Sequence, residues 1–314
     1  MKISDTRRNI LLFMVLALIQ TISSAQHYLP GKYKNTPQIF SSVRVASASV
    51  VPEKWNREVN WTRTEAMVRK AVSEGGARVV ITPECILDGY VVEESNGIKD
   101  PAERNKVLDK IIAVAEPITG TYILKACRLA DELDVWLVFG FLESLEGKLY
   151  NTAILVDPDG DIVGRYCKTH FAEGYTIKPD MYTPGDDYPV FDTPFGKVGI
   201  IICYDRQLPE PARIMGIKGA QILFVPAYGS YTDENGWNTA LMRTRAYENK
   251  YPLVFCHPFQ SLMIDQAGNI KASGNAGEVV YYDFNTSPEN YKGRFTKRRA
   301  ETYRALYESG KQDL

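Results

Sequence analysis

Histidine is scarce in this chain: 314 residues contain three, His27, His170 and His257. They are scattered and share no ligand-like spacing, so a histidine-built metal centre is not expected. Cysteine is sparse too. Cys85, Cys127, Cys167, Cys203 and Cys256 are odd in number and irregular in spacing, which excludes a framework that pairs them all. Neither sign of charge is in excess: 37 Lys and Arg stand against 38 Asp and Glu, a net charge of −1. That balance leaves no electrostatic footprint for nucleic acid. Charge runs, low-complexity tracts and repeats of solenoid period are missing as well. What remains is an ordinary globular composition, 45% hydrophobic and 24% charged, long enough for a large core.

The most apolar run, Ile10 to about Ile22, falls short of the roughly 20 residues that span a bilayer. Lys2, Arg7 and Arg8 precede it and Ser23-Ser24-Ala25 follow, the three-part pattern of a secretory signal peptide. Cleavage after Ala25 is expected, with a retained anchor as the alternative. No cysteine ends the run, so a lipoprotein anchor is not expected. The mature chain would start near Gln26 in a periplasmic or secreted location. The expected divisions are a signal peptide over 1–25, a lead-in over 26–42, a domain over 43–285 and an extension over 286–314.

Within the domain, "VRVASASV" (43–50) reads as a strand, 60–76 as a helix ended by Gly75-Gly76, and "ARVVITPE" as a short buried strand. Helices are expected near 101–115, 121–133, 209–218 and 237–250. Strands are expected at 135–141, 150–157, 162–171, across 188–203, at 220–227 and beyond 250. Asp157-Pro158-Asp159-Gly160 reads as a hairpin turn. These segments interleave with no linker, which implies one α/β domain of mixed sheets covered by helices. The charged, aromatic-bearing tail from about 287 reads as an arm for a partner subunit.

One stretch carries chemistry on its face. "VGIIICYDRQLPE" (198–210) runs an apolar strand into Cys203, with a helix expected to follow. A strand-to-helix turn exposes a nucleophile beside free backbone N–H groups that favour a thiolate. The plain alternative is a buried cysteine at a strand end. Two more polar residues end apolar strands: Glu84 after "RVVITP" and Lys168 after "IVGRYC". Charges there are expensive to bury unpaired, and convergence of Glu84, Lys168 and Cys203 at one sheet end would explain all three. Separately, Glu84 could cap a helix and Lys168 could be a solvated strand edge. A Cys–His pair using His170 or His257 is a further possibility, thinly supplied.

"VVITPECILDGY", "GRYCKTHF" and "GKVGIIICYDRQLPEPAR" resemble the three signature blocks of the nitrilase, or carbon–nitrogen hydrolase, superfamily. "LYNTAILVDPDGDIVGRYCKTH", "YTPGDDYPVFDTPFGKVG" and "MRTRAYEN" fit the same order, and the resemblance covers about 43–285. It implies a four-layer α-β-β-α sandwich and association into a homodimer or higher homo-oligomer. It also implies a triad of Glu84, Lys168 and Cys203. In that likeness Glu84 handles protons, Cys203 forms an acyl-enzyme, and Lys168 with the N–H of Tyr204 holds the oxyanion. No metal or cofactor is implied. A second glutamate is common in the family between the lysine and the following Pro-Gly. Here Glu173 is its only candidate, while a count back from Pro184 lands on Lys178.

Arg206, three residues after Cys203, matches the arginine by which carbamoylases hold a substrate carboxylate, a task suited to a bidentate guanidinium. An ion pair with Asp205 or Glu210 is the plain alternative. Tyr228 and the "HPF" at 257–259 fall near the pocket by the same likeness. The expected function is hydrolysis of small amides or N-carbamoyl compounds. Nitrile hydrolysis, a Cys–His thiol hydrolase and an inactive secreted binding protein on the same scaffold stay open.

Overall fold

The apolar segments form two six-stranded sheets in the computed structural model, which describes residues 27–172, 182–229, 236–287 and 297–308. The signal segment, Glu173 and Lys178 lie outside the described residues. The first sheet uses β1 (Ser42–Ala48), β2 (Val79–Ile81), β3 (Trp136–Leu145), β4 (Lys148–Val156), β5 (Ile162–Cys167) and β12 (Val279–Asn285), in the order β12-β1-β2-β3-β4-β5. The second uses β6 (Val190–Thr193), β7 (Gly196–Ile200), β8 (Ile222–Pro226), β9 (Leu253–His257), β10 (Gln260–Ile264) and β11 (Ile270–Asn275), in the order β11-β10-β9-β8-β7-β6.

Each sheet has a parallel centre, β1-β2-β3 in one and β7-β8-β9 in the other, flanked by antiparallel strands. Parallel strands are covered on both faces, which is why these read as unbroken apolar runs. Alternation sorts their side chains into layers. Val79 and Ile81 of β2 face the second sheet, in one cluster with Val198, Ile200 and Val225. Val80 points the other way, to Val68, Ala71, Ile123 and Ala126. Those four belong to α1 (Arg57–Ser73) and α3 (Thr121–Glu132), which cover the first sheet. On the far side α4 (Pro209–Ile217) packs on β7, and α5 (Trp237–Asn249) packs on β9 and β10. The result is the expected α-β-β-α sandwich.

Local chemistry sets the boundaries. Asn56 caps α1 by accepting from the Val59 N–H at 3.2 Å, so the helix starts and stops three residues before the expected 60–76. Asp100 caps α2 (Pro101–Val114), with Pro101 in the first turn. The Asp157–Gly160 turn forms as expected, closed by Gly160 N–H to Asp157 C=O at 3.0 Å. The lead-in is less extended than expected. Leu29 N–H bonds Ile162 C=O, and the chain then crosses to the second sheet, where Phe40 N–H bonds Pro194 C=O. Between them Lys32 Nζ sits 2.6, 2.7 and 2.6 Å from Asp157, Asp159 and Asp161.

Candidate active site

The strand directions bring four expected residues to one edge. β2 and β3 run parallel, and β5 returns to that direction through two antiparallel steps. Glu84 follows β2, Lys168 follows β5, Cys203 follows β7 and Tyr228 follows β8, so all four leave the C-terminal ends of their strands. In open α/β sheets that edge is where ligands bind. The two sheets meet there: Glu84 N–H of one reaches Ala227 C=O of the other at 3.4 Å.

Glu84 does not close a strand, as expected from the sequence, nor does it cap a helix. β2 ends at Ile81, and Glu84 sits in the following turn. Its position depends on close approach from β3. A Cβ on Gly140 would lie 2.6 Å from Pro83 O and 3.1 Å from Glu84 Cα, so only glycine lets this turn settle on the sheet. Both Glu84 and Lys168 are buried, at 0% and 2% exposure. Lys168 Nζ donates to Glu84 Oε1 at 2.7 Å, and Asn151 Nδ2 donates to the same oxygen at 2.6 Å. Glu84 Oε2 is buried with no hydrogen-bond partner. Burial alone would pull Lys168 down, but the charge and hydrogen bond of Glu84 outweigh it and hold the ammonium above its ordinary value. The solvated-edge alternative for Lys168 is therefore excluded.

Cys203 opens a 3-10 turn (Cys203–Gln207) rather than an α-helix; α4 starts only at Pro209. Proline disfavours helical geometry in the residue before it and suits a first helical position, which pins the helix start at 209. Cys203 itself has φ +48°, in the left-handed region where a side chain costs about 1–3 kcal/mol. Its thiol donates to Tyr228 C=O at 3.1 Å, and Arg206 Nη1 donates to Sγ at 3.3 Å. Burial pushes the thiol above its ordinary value, the Glu84 carboxylate adds to this, and Lys168 and Arg206 offset part of it. All five cysteines are free thiols, and Cys167 is half-buried.

Arg206 is buried at 1% exposure. Besides Sγ it meets Asn238 Oδ1 at 3.2 Å and lies over the Phe255 ring. Tyr204 is half-buried in the turn after the sulfur. The Tyr228 ring stacks on Tyr90 with centroids 4.5 Å apart. The histidines are engaged elsewhere. His170 Nδ1 lies 3.1 Å from Asp205 Oδ1. In His257, Nδ1 accepts from Phe259 N–H, so Nε2 carries the proton to Gly229 C=O, each at 3.1 Å. Burial lowers His257 to about 4, so the imidazole is neutral at pH 7.

Sequence reasoning missed five residues here. Asn151 is a buried amide in the apolar strand "LYNTAILV", a polar signal of the same kind as Lys168. Arg245 braces the 3-10 turn, donating to Arg206 C=O at 3.1 Å and Gln207 C=O at 3.0 Å. Asp205 and Tyr166 meet at 2.7 Å, and no spacing announces that pair. Asp88, four residues after Glu84, is buried, and its Oδ2 has no hydrogen-bond partner.

A buried ammonium–carboxylate pair and a thiol at the facing edges of two stacked sheets have the makings of a sandwich-fold hydrolase site. The comparisons with known proteins then place it: the chain belongs to the carbon–nitrogen hydrolase family, whose sequence pattern matches residues 44–287. It is 30% identical to the omega-amidase of Homo sapiens over 247 residues, 71% of this chain and 81% of that one. It is 29% identical to the citrullinase of Francisella tularensis over 278 residues, 79% of this chain and 92% of that one. The crystal structure of a carbon–nitrogen hydrolase from Helicobacter pylori superposes with TM-score 0.66 at 21% identity, covering 85% of this chain and 98% of the other. The protein is thus a hydrolase of non-peptide carbon–nitrogen bonds.

Proposed function

We propose that the protein hydrolyses small amides or N-carbamoyl compounds through a Cys203 thioester. The observation that carries the reading is the Glu84 carboxylate. One oxygen is held by Lys168 and Asn151; the other is buried and unpartnered. Such an oxygen is a proton acceptor kept away from water. Glu84 takes the Cys203 proton as sulfur bonds the substrate carbonyl carbon. Lys168 and the Tyr204 N–H carry the oxyanion. The C–N bond then breaks as Glu84 passes its proton to the departing nitrogen. Water attacks the thioester, Glu84 takes the water proton, and the proton returns to sulfur as the C–S bond breaks. An amide yields its acid and ammonia.

The relatives' names support both amide and ureido chemistry. Arg206, a cation 3.3 Å from the sulfur, supports a substrate that carries a carboxylate close to the scissile carbonyl. Glu173 is retained as a residue that orients Lys168 or water, and Tyr228 as a wall of the pocket. The N-terminal segment is read as an export signal, and the working form as a homo-oligomer.

Ammonia release from purified protein, screened over amides, N-carbamoyl amino acids and nitriles, tests the proposal with Cys203→Ala as control. Turnover confined to carboxylate-bearing amides or N-carbamoyl compounds, lost in Arg206→Ala, is expected. Unchanged turnover in Cys203→Ala would overturn it. Equal turnover of neutral amides by Arg206→Ala and parent would remove Arg206 from substrate binding.

A further inference from the structure

The proposed reaction needs groups from both sheets: Lys168 leaves the first, Cys203 the second. One side chain that touches neither reacting atom joins the two segments. Asp205, two residues after Cys203, is fully buried, and both its oxygens accept hydrogen bonds. Oδ2 accepts from the Ile202 N–H at 3.0 Å and the Tyr166 hydroxyl at 2.7 Å. Oδ1 accepts from the Thr169 hydroxyl at 2.9 Å and the His170 N–H at 2.9 Å, and faces His170 Nδ1 at 3.1 Å. Ile202 directly precedes the cysteine. Tyr166, Thr169 and His170 bracket Lys168.

We infer that Asp205 is a positioning residue for the hydrolysis, holding the Cys203 turn in register with the Lys168 segment across the sandwich. The inference rests on the proposed roles of Glu84, Lys168 and Cys203. Three observations argue for positioning over mere burial of a charge. Cys203 has a left-handed φ, and the Ile202 N–H is the first donor before it, so the Asp205 bond closes the turn on itself. Several donors converge on one carboxylate from two distant segments, which determines its orientation in all directions. The negative charge of Asp205 also favours the Lys168 ammonium. A neutral amide cannot replace it. In Asp205→Asn either rotamer points an NH2 group at a backbone N–H, that of Ile202 or of His170. The hydroxyls of Tyr166 and Thr169 can turn to accept, but those two N–H groups cannot. One of the two segments must then move, and a misplacement of about 1 Å at a reacting group can cost roughly 10²-fold in rate.

The test compares the full-length Asp205→Asn and Tyr166→Phe/Thr169→Val variants with parent and with Cys203→Ala, on one amide that the parent turns over. The double variant keeps the Asp205 charge and both backbone bonds; it removes the two hydroxyl donors, and with Thr169 the 2.9 Å contacts to the Tyr188 hydroxyl and His170 Nδ1. For Asp205→Asn, kcat is expected to fall about 10²-fold with KM within threefold. For the double variant, kcat is expected to fall roughly tenfold with KM again unchanged. Both are assayed well below their own unfolding temperatures. A folded Asp205→Asn with parental kcat overturns the inference. So does a loss that appears only near the unfolding temperature, or one that lies wholly in KM. Should Asp205→Asn not fold, the double variant decides, and parental kcat there overturns the inference. Parental turnover in Cys203→Ala is a different result, because it removes the thioester reaction itself.

Discussion

At neutral pH the resting Cys203 is a thiol and not a thiolate, and this can be checked without any substrate. Burial and the nearby Glu84 carboxylate push the group up, and the Arg206 guanidinium opposes them. Arg206 Nη1 is 3.3 Å from Sγ. Coulomb's law at an effective dielectric of about 20 gives roughly 5 kcal/mol for unit charges at that separation. Relaxation lowers this, and opposite charges at such distances typically move a titration by about one to three pH units. Iodoacetamide reacts with the thiolate, so its rate at fixed pH follows the thiolate fraction. Arg206→Met should therefore slow alkylation of Cys203 at pH 7 by about 10- to 10³-fold. Glu84→Gln removes an anion, so it should accelerate alkylation at the same pH while hydrolysis slows. The assay is the mass-spectrometric rate of adduct formation at Cys203 from pH 6 to 10. A parental rate already on a plateau below pH 7 would refute the reasoning, since a resting thiolate needs no base. So would an Arg206→Met rate equal to the parent's.

Glu84→Gln should reduce kcat about 10²- to 10⁴-fold, while His170→Ala and His257→Gln stay within about tenfold of parent in ammonia release; the reverse pattern would install a Cys–His pair instead. Gly140→Ala places a methyl group 2.6 Å from Pro83 O, so it should cost about 1–3 kcal/mol in urea unfolding and lower kcat roughly 10²-fold by shifting Glu84. Parental kinetics in that variant would show that the turn tolerates displacement. Asp88 is pushed by burial from an ordinary 3.8 to about 7. The unfolded chain then releases this proton before the folded one does, so the Asp88 contribution makes stability fall as pH rises from about 4 to 7. Asp88→Asn should thus be the more stable protein at pH 8, by up to about 4 kcal/mol, and match the parent near pH 4. Equal urea midpoints at pH 8 would sink this assignment.

Element type was legible wherever one local rule acted alone. The Asp157–Gly160 hairpin, the apolar strands β7 and β8 and the α5 segment need only turn chemistry or periodicity. Boundaries were less legible where a cap intervened. Asn56 moved the start of α1, whereas α4 opens at Pro209 as expected and only the 3-10 turn over Cys203–Gln207 went unread. In the site, Glu84, Lys168 and Cys203 stood out because each is a polar group at the end of a buried run, an arrangement that costs free energy unless partners wait there. Asp205 did not stand out, because an aspartate beside an arginine in a turn reads as solvated. Its burial and its donors exist only once β5 and the Cys203 turn are side by side.

The chain's own order of residues therefore determined which side chains must be buried and which polar groups need partners. Pattern, propensity and desolvation act over a few neighbouring residues and need no map of the whole. Tertiary structure alone decided which partner each group received: Lys168 for Glu84, Arg206 for the Cys203 sulfur, Asp205 between two sheets. Those contacts join positions far apart in sequence, and their distances follow from how two twisted sheets pack face to face, a quantity that no local segment encodes.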